Sequence, residues 1–298
     1  MTQAQLNGML RSDFVRPAQG RFEIRIREPS PDGVPWGSAP LTQVTDARPL
    51  QAEVASEAAF FAQHNFALLP HKTAVTDWVT DQRDPSPDSE VARFYVPEVE
   101  ALIRERLLPG VPVVIFQRPA LVRRGPDAEG YAPAVHQDFG LTADDYQEGV
   151  GAFAGPEIGQ RWRDGYDKPE VAGFMVIDFW RPIDMAGPLR HMPLAVCDPA
   201  SVEAEDVTPS SLLDFSPTGR PTNQLSLRYN PSQRWYYYPE MTTEEVLCFK
   251  LFHCLKSDAE PHLRTCFHTA FVDPSAPADA EPRRSCEHRV GVFLLRTS

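Results

Sequence analysis

Residues 134 to 140 read AVHQDFG, and within them His136 and Asp138 are the pair best suited to chemistry. On an extended chain residues i and i+2 point to one side, so an imidazole and a carboxylate would meet at one point in space. Completed by a distant histidine, they make the 2-His-1-carboxylate set that holds Fe(II) and leaves coordination positions open for O₂ and substrate. An HxD alone recurs by chance in many chains, so the third ligand decides. His268 opens the strand-like run HTAFVDP and is the leading candidate, with His253 as a minor rival. His191, in a proline-bounded stretch, reads as a hydrogen-bonded structural histidine and His262, in an acidic loop, as a solvated one; His288 lies in the last apolar run.

Downstream of His268, Arg283 and Ser285 stand two apart at the opening of the last apolar run. A guanidinium and a hydroxyl on one face suit the far carboxylate of 2-oxoglutarate, which chelates iron through its 1-carboxylate and 2-keto oxygens. Arg284 and Arg289 are fallback partners, and alternation puts Arg289 on the face of Arg283. Arg228 and Tyr229 can hydrogen-bond a cosubstrate or a substrate acid. Arg123, Phe139, Trp180, Arg181 and Trp235 are candidates for a substrate pocket, set against the commoner fate of aromatic side chains, which is core packing. Asp178 is expected to make a buried hydrogen bond and not to ligate.

Positioning such a set calls for strands. Thirty prolines in 298 residues leave few windows for long helices. Helical spacing appears in 51 to 66 and 90 to 108, and RFEIRIREP (21 to 29) alternates like a half-buried strand. From residue 112 the texture becomes nine short β-rich runs: VPVVIF, ALVRR, APAVHQDF, GFMVIDFW, QLSLRYN, RWYYYP, VLCFKLF, CFHTAFV and HRVGVFLL. Segments 199 to 222 and 273 to 284 read as loops. The expected fold is mainly β with flanking helices: a double-stranded β-helix, jelly-roll or cupin-like core. It is expected as one domain over 1–298, with 111–298 as the catalytic core and 1–110 as a helical and strand region packed on it.

A formal charge of −12 argues against nucleic acid or an anionic membrane as partner and favours a small-molecule substrate. Five cysteines without CxxC spacing make a disulfide framework or thiolate zinc site a poor fit, and no stretch has the length of a signal peptide or bilayer span. A cytoplasmic location is expected.

FWRPIDMAGPLRHMPLAVCDPASV (179 to 202), NPSQRWYYYPEMTTEEVLCFKLF (230 to 252), HTAFVDP (268 to 274) and PRRSCEHR (282 to 289) resemble the CmcJ/NvfI-like, or gibberellin-desaturase-like, family. The similarity covers roughly residues 110 to 295. It implies an Fe(II)/2-oxoglutarate-dependent oxygenase with His136, Asp138 and His268 as metal ligands. Its cofactors would be Fe(II), 2-oxoglutarate and O₂. Hydrogen abstraction would hydroxylate, desaturate or cyclise a secondary metabolite. Two departures stand out. His253-Cys254 replace the family's Asp-Ser pair, and Arg284 replaces a glutamate, which leaves open which arginine takes the cosubstrate carboxylate. The rival readings are a non-redox metal-binding cupin-like enzyme, a methyltransferase, disfavoured because no strand is followed by a GxGxxG-like helix start, and a catalytically inactive accessory protein. Asp138 disfavours halogenation, where a small residue must make room for halide.

Overall fold

A computed structural model describes residues 1–17, 20–25, 36–37, 40–81, 85–132 and 134–297. In chain order its strands are β1 (Thr2–Gln5), β2 (Phe22–Arg25), β3 (Leu41–Asp46), β4 (Phe66–Pro70), β5 (Val113–Phe116), β6 (Val122–Arg124), β7 (Gln137–Asp138) and β8 (Val171–Pro182). There follow β9 (Leu194–Cys197), β10 (Val207–Leu213), β11 (Thr222–Leu227), β12 (Trp235–Tyr237), β13 (Glu245–Leu255), β14 (His268–Ala270) and β15 (Ser285–Leu295).

Long strands β13, β8 and β15 form the spine of a six-stranded sheet ordered β4-β13-β8-β15-β5, with β6 beside β15. Facing it are a four-stranded sheet, β2-β10-β11-β7, and a five-stranded one, β1-β3-β12-β9-β14. These two join where His136 and His268 pair backbone to backbone in an antiparallel bridge, with N···O distances of 3.2 and 2.9 Å. The result is the expected double-stranded β-helix.

β8 is buried on both faces, which explains its nearly continuous apolar sequence. Its even residues, among them Val176 and Trp180, line cavities inside the barrel. Odd Arg181 lies on the other side, over the rings of Trp78 and Tyr95.

The window 51 to 66 splits. Helix Glu57–His64 starts where Ser56 Oγ accepts from the Ala59 N–H, stops at Asn65 with φ 64°, and gives way to β4. Window 90 to 108 is helical over Val91–Leu107, with Pro97 in the first turn of its middle segment, where a missing N–H costs little. The N-terminal region does more than pack outside, since β4 pairs with β13 and β3 with β12. Of the expected strand at 21 to 29, β2 covers Phe22–Arg25, and residues 26–29 lie outside the described residues.

The loop expected at 199 to 222 is corrected: it contains β10. Ser210 and Ser226 hydroxyls meet across to β11 at 2.8 Å, and Pro209 sits one residue before pairing with β2 begins. Helices Ala143–Ala154 and Pro156–Tyr166 were also absent from the periodicity reading. Thr142 and Asp145 open the first with a reciprocal capping box.

Lys250, on β13, buries its ammonium against Asn65 Oδ1 at 2.8 Å and over the Phe61 ring. Burial lowers it from 10.5 to about 8. Below pH 8 both folded and unfolded chains carry the proton, so the burial penalty is fully present. It fades between 8 and 10.5, where the folded chain releases its proton first. Lys250→Met is therefore expected to raise stability near neutral pH by about 1–2 kcal/mol, net of one lost hydrogen bond, with the gain shrinking in alkali. Urea melts at neutral and alkaline pH check this; a variant less stable at neutral pH refutes it.

Candidate metal and cosubstrate site

β7 is two residues long and is placed by its neighbours. Asp138 stands opposite Gln224 of β11, and the Val135 N–H donates to the Asn7 carbonyl at 2.7 Å. Gly8, at φ 80°, lies so close behind that a Cβ there would fall 2.5 Å from Ala134 Cβ, an approach only glycine admits. Gln137 turns away and donates to the Leu251 carbonyl. The rings of His136 and His268 are 4.3 Å apart, and His136 Nε2 lies 3.8 Å from Asp138 Oδ1. One potential ligand atom from each of the three lies within 4.8 Å of the others. His253 is not in this group. It sits on β13 opposite Met175 with both ring nitrogens buried and unpartnered.

The protonation states suit a cation. His136 Nδ1 faces the Ala134 carbonyl at 2.7 Å and His268 Nδ1 the Cys266 carbonyl at 3.3 Å. A carbonyl only accepts, so each Nδ1 carries a proton and Nε2 is the nitrogen each ring can offer to a metal. Burial, then the neighbouring His136, pushes His268 down to about 3. Burial alone would raise Asp138, but Arg289 and both histidines outweigh it and hold the carboxyl at about 2. Neutral imidazoles and an ionised carboxylate are what a divalent metal takes.

Beside the histidines a narrow cavity is lined by Trp180, Phe249 and Arg283. Arg283 is 1% exposed, donates to the Met192 carbonyl, and lies over the rings of Tyr131 at 4.4 Å and Trp180 at 5.5 Å. No carboxylate of the protein pairs with it among the described residues, and burial lowers its pKa to about 10. Arg283 Nε and Ser285 Oγ are buried with no hydrogen-bond partner among the described residues. A buried cation and hydroxyl left open in this way fit a carboxylate from outside the protein.

Arg289 is placed differently from the expected cosubstrate partner. Its Nη2 stands 2.9 Å from Asp138 Oδ2, an ion pair without hydrogen-bond alignment, and 3.7 Å from Glu287 Oε2. Arg284 faces Glu281 and Asp127. Arg228 lies outside both cavities, donating to the Glu205 carbonyl at 2.6 Å near Asp206. His191 is the structural histidine expected, its Nδ1 accepting from the Arg283 N–H at 3.3 Å.

A larger cavity of about 780 Å³ opens on the other side of Arg289, walled by Phe116, Phe139, Tyr146, Val150, Phe153 and Ile158. Phe139, at φ 66°, turns the chain directly after Asp138 into this wall. Of the other pocket candidates, Trp180 lines the narrow cavity. Four need correcting. Arg181 binds His71 and Thr243 on the outer face of β8. Trp235 and Tyr229 pack in an apolar cluster with Val44, Leu227 and Phe271, and Arg123 borders neither cavity because Val122 and Arg124 on its strand take the inward positions. Asp178 also differs from expectation: both its oxygens are buried without a partner, and burial, with Glu287 nearby, raises its pKa well above the carboxylate range. Glu287 and Arg124, which meet at 3.1 Å between the cavities, went unrecognised; the alternation Ser285, Glu287, Arg289 was the signal available.

A family model described as an oxidoreductase/YMDC permease-like domain matches residues 24–293. Hydroxylase/desaturase poxK of Penicillium oxalicum is 27% identical over 94% of this chain and 88% of its own. The Fe(II)/2-oxoglutarate-dependent dioxygenase nvfI of Aspergillus novofumigatus is 33% identical over 40% of this chain and 41% of its own. In fold, the solved iron and alpha-ketoglutarate-dependent endoperoxidase NvfI matches with a TM-score of 0.65 at 22% identity, over 99% of both chains.

Proposed function

Because this chain belongs to the oxidoreductase family matched over residues 24–293, the NvfI-like group of Fe(II)/2-oxoglutarate-dependent oxygenases, we propose that His136, Asp138 and His268 hold its iron. Arg283 and Ser285 then take the far carboxylate of 2-oxoglutarate, and the 780 Å³ cavity takes the substrate. When bound, iron with 2-oxoglutarate and O₂ supplies an oxidant able to break an unactivated C–H bond, with succinate and CO₂ as co-products.

The protein's own part is positional. Two Nε2 lone pairs and one ionised carboxylate face one point. Trp180 and Phe249 wall the cosubstrate cavity, while the larger cavity, lined by aromatic and aliphatic side chains beside charged ones and reaching Phe139 next to Asp138, would receive the substrate. The substrate class proposed is a small, partly apolar secondary metabolite. Five free, buried thiols suit work in the reducing cytoplasm. Among the described residues, no helix is long and apolar enough to cross a membrane.

The observation that carries this reading is the adjacency of a His-Asp-His cluster and a buried arginine without a counter-ion among the described residues. Its test is succinate production from 2-oxoglutarate. Formation that depends on Fe(II) is expected, and equal yields from Asp138→Ala and wild type would sink it.

A further inference from the structure

We infer that Arg289 sets how Asp138 binds the metal: by holding Oδ2 it leaves a single carboxylate oxygen free to coordinate, and so keeps open the position that O₂ requires. This rests on the reading of His136, Asp138 and His268 as ligands. The two oxygens of Asp138 face different partners, Oδ1 toward His136 Nε2 at 3.8 Å and Oδ2 toward Arg289 Nη2 at 2.9 Å. With three protein atoms and a bidentate cosubstrate on a six-coordinate metal, one position remains. A carboxylate that turned to give both oxygens would fill it.

Arg289 is well placed to prevent that turn. It stands on β15 in the six-stranded sheet, whereas Asp138 stands on β7 in the four-stranded sheet, so the pair spans the barrel interior. Glu287, two residues earlier on the same face, lies 3.7 Å from the same Nη2 and is itself fixed by Arg124 at 3.1 Å. One guanidinium nitrogen thus stands between two acids, nearer to Asp138 Oδ2 than to Glu287. A lone carboxylate on a two-residue strand has no such constraint of its own.

The test uses nitric oxide, which occupies the O₂ position, titrated anaerobically into protein loaded with Fe(II) and 2-oxoglutarate. In Arg289→Met, affinities for Fe(II) and 2-oxoglutarate are expected to stay within about threefold of wild type while nitric oxide affinity falls about tenfold or more, and Arg289→Lys should recover most of it. Should the methionine variant fail to fold, Arg289→Gln carries the same expectation. Wild-type nitric oxide affinity in the charge-free variant overturns the inference. So does loss of Fe(II) as complete as in Asp138→Ala, because Arg289 would then govern whether the carboxylate binds and not how. A wild type that takes up no Fe(II), or an Asp138→Ala that binds it normally, instead overturns the ligand assignment beneath it.

Discussion

Arg283→Ala is expected to raise the 2-oxoglutarate needed for half-saturation by about one to two orders of magnitude, with Fe(II) affinity nearly unchanged, as loss of one charge-assisted contact worth about 1.5–3 kcal/mol predicts. The burial of Arg283 is the reason for so large an effect. Its contacts with the Met192 carbonyl and two aromatic rings do not neutralise it, and with a pKa of about 10 it stays charged at neutral pH. Ser285→Ala, which removes a neutral hydroxyl, should weaken binding by roughly fivefold, in line with an ordinary hydrogen bond. Arg284→Ala should change nothing, because that side chain faces surface acids. Titrating the cosubstrate against the iron-loaded variants decides it; normal affinity in Arg283→Ala with a large loss in Arg284→Ala would refute the assignment.

The second large effect concerns the metal. His268→Ala and Asp138→Ala are each expected to weaken Fe(II) binding by about two orders of magnitude or more, and His253→Ala to leave it unaltered. Binding should also show in stability, since His136 and His268 lie at the junction of the four- and five-stranded sheets. A ligand that binds only the folded chain at a hundredfold excess over its Kd adds about 2.7 kcal/mol, so chelation should lower the melting temperature of wild type and not of Asp138→Ala. Anaerobic calorimetry and thermal melts measure both. An unchanged Kd in His268→Ala, or a fall in melting temperature shared by Asp138→Ala, would count against these ligands.

The chemistry of this site was legible because it rests on residue type and order: an HxD, a far histidine opening a strand, then arginine and serine two apart. What escaped was set by parity and by cross-strand neighbours. Trp180 and Arg181 are adjacent in sequence, yet one lines the narrow cavity beside the histidines and the other lies on the outer face beside His71. Arg123 and Arg124 differ only in which of them the pairing with β15 turns inward. No local pattern fixes that choice, because β6 is three residues long and takes its register from a partner about 160 positions away. β10 was missed for a related reason. Its serines carry no strand signal until β11 lies alongside and Ser226, paired with Thr208, meets Ser210 diagonally.

The hairpin of helices Ala143–Ala154 and Pro156–Tyr166 supplies Tyr146, Val150, Phe153 and Ile158 to the large cavity, whereas the His-Asp-His cluster and Arg283 come from strands and their flanking turns. That part of the wall is therefore encoded apart from the cluster, whereas Phe139, next to Asp138, and Arg289 of β15 tie the rest of the wall to it. If the larger cavity takes the substrate as proposed, substitutions along the hairpin would redirect oxidation to a new carbon skeleton while leaving iron loading intact, and new products would be open to this scaffold without passage through an inactive ancestor.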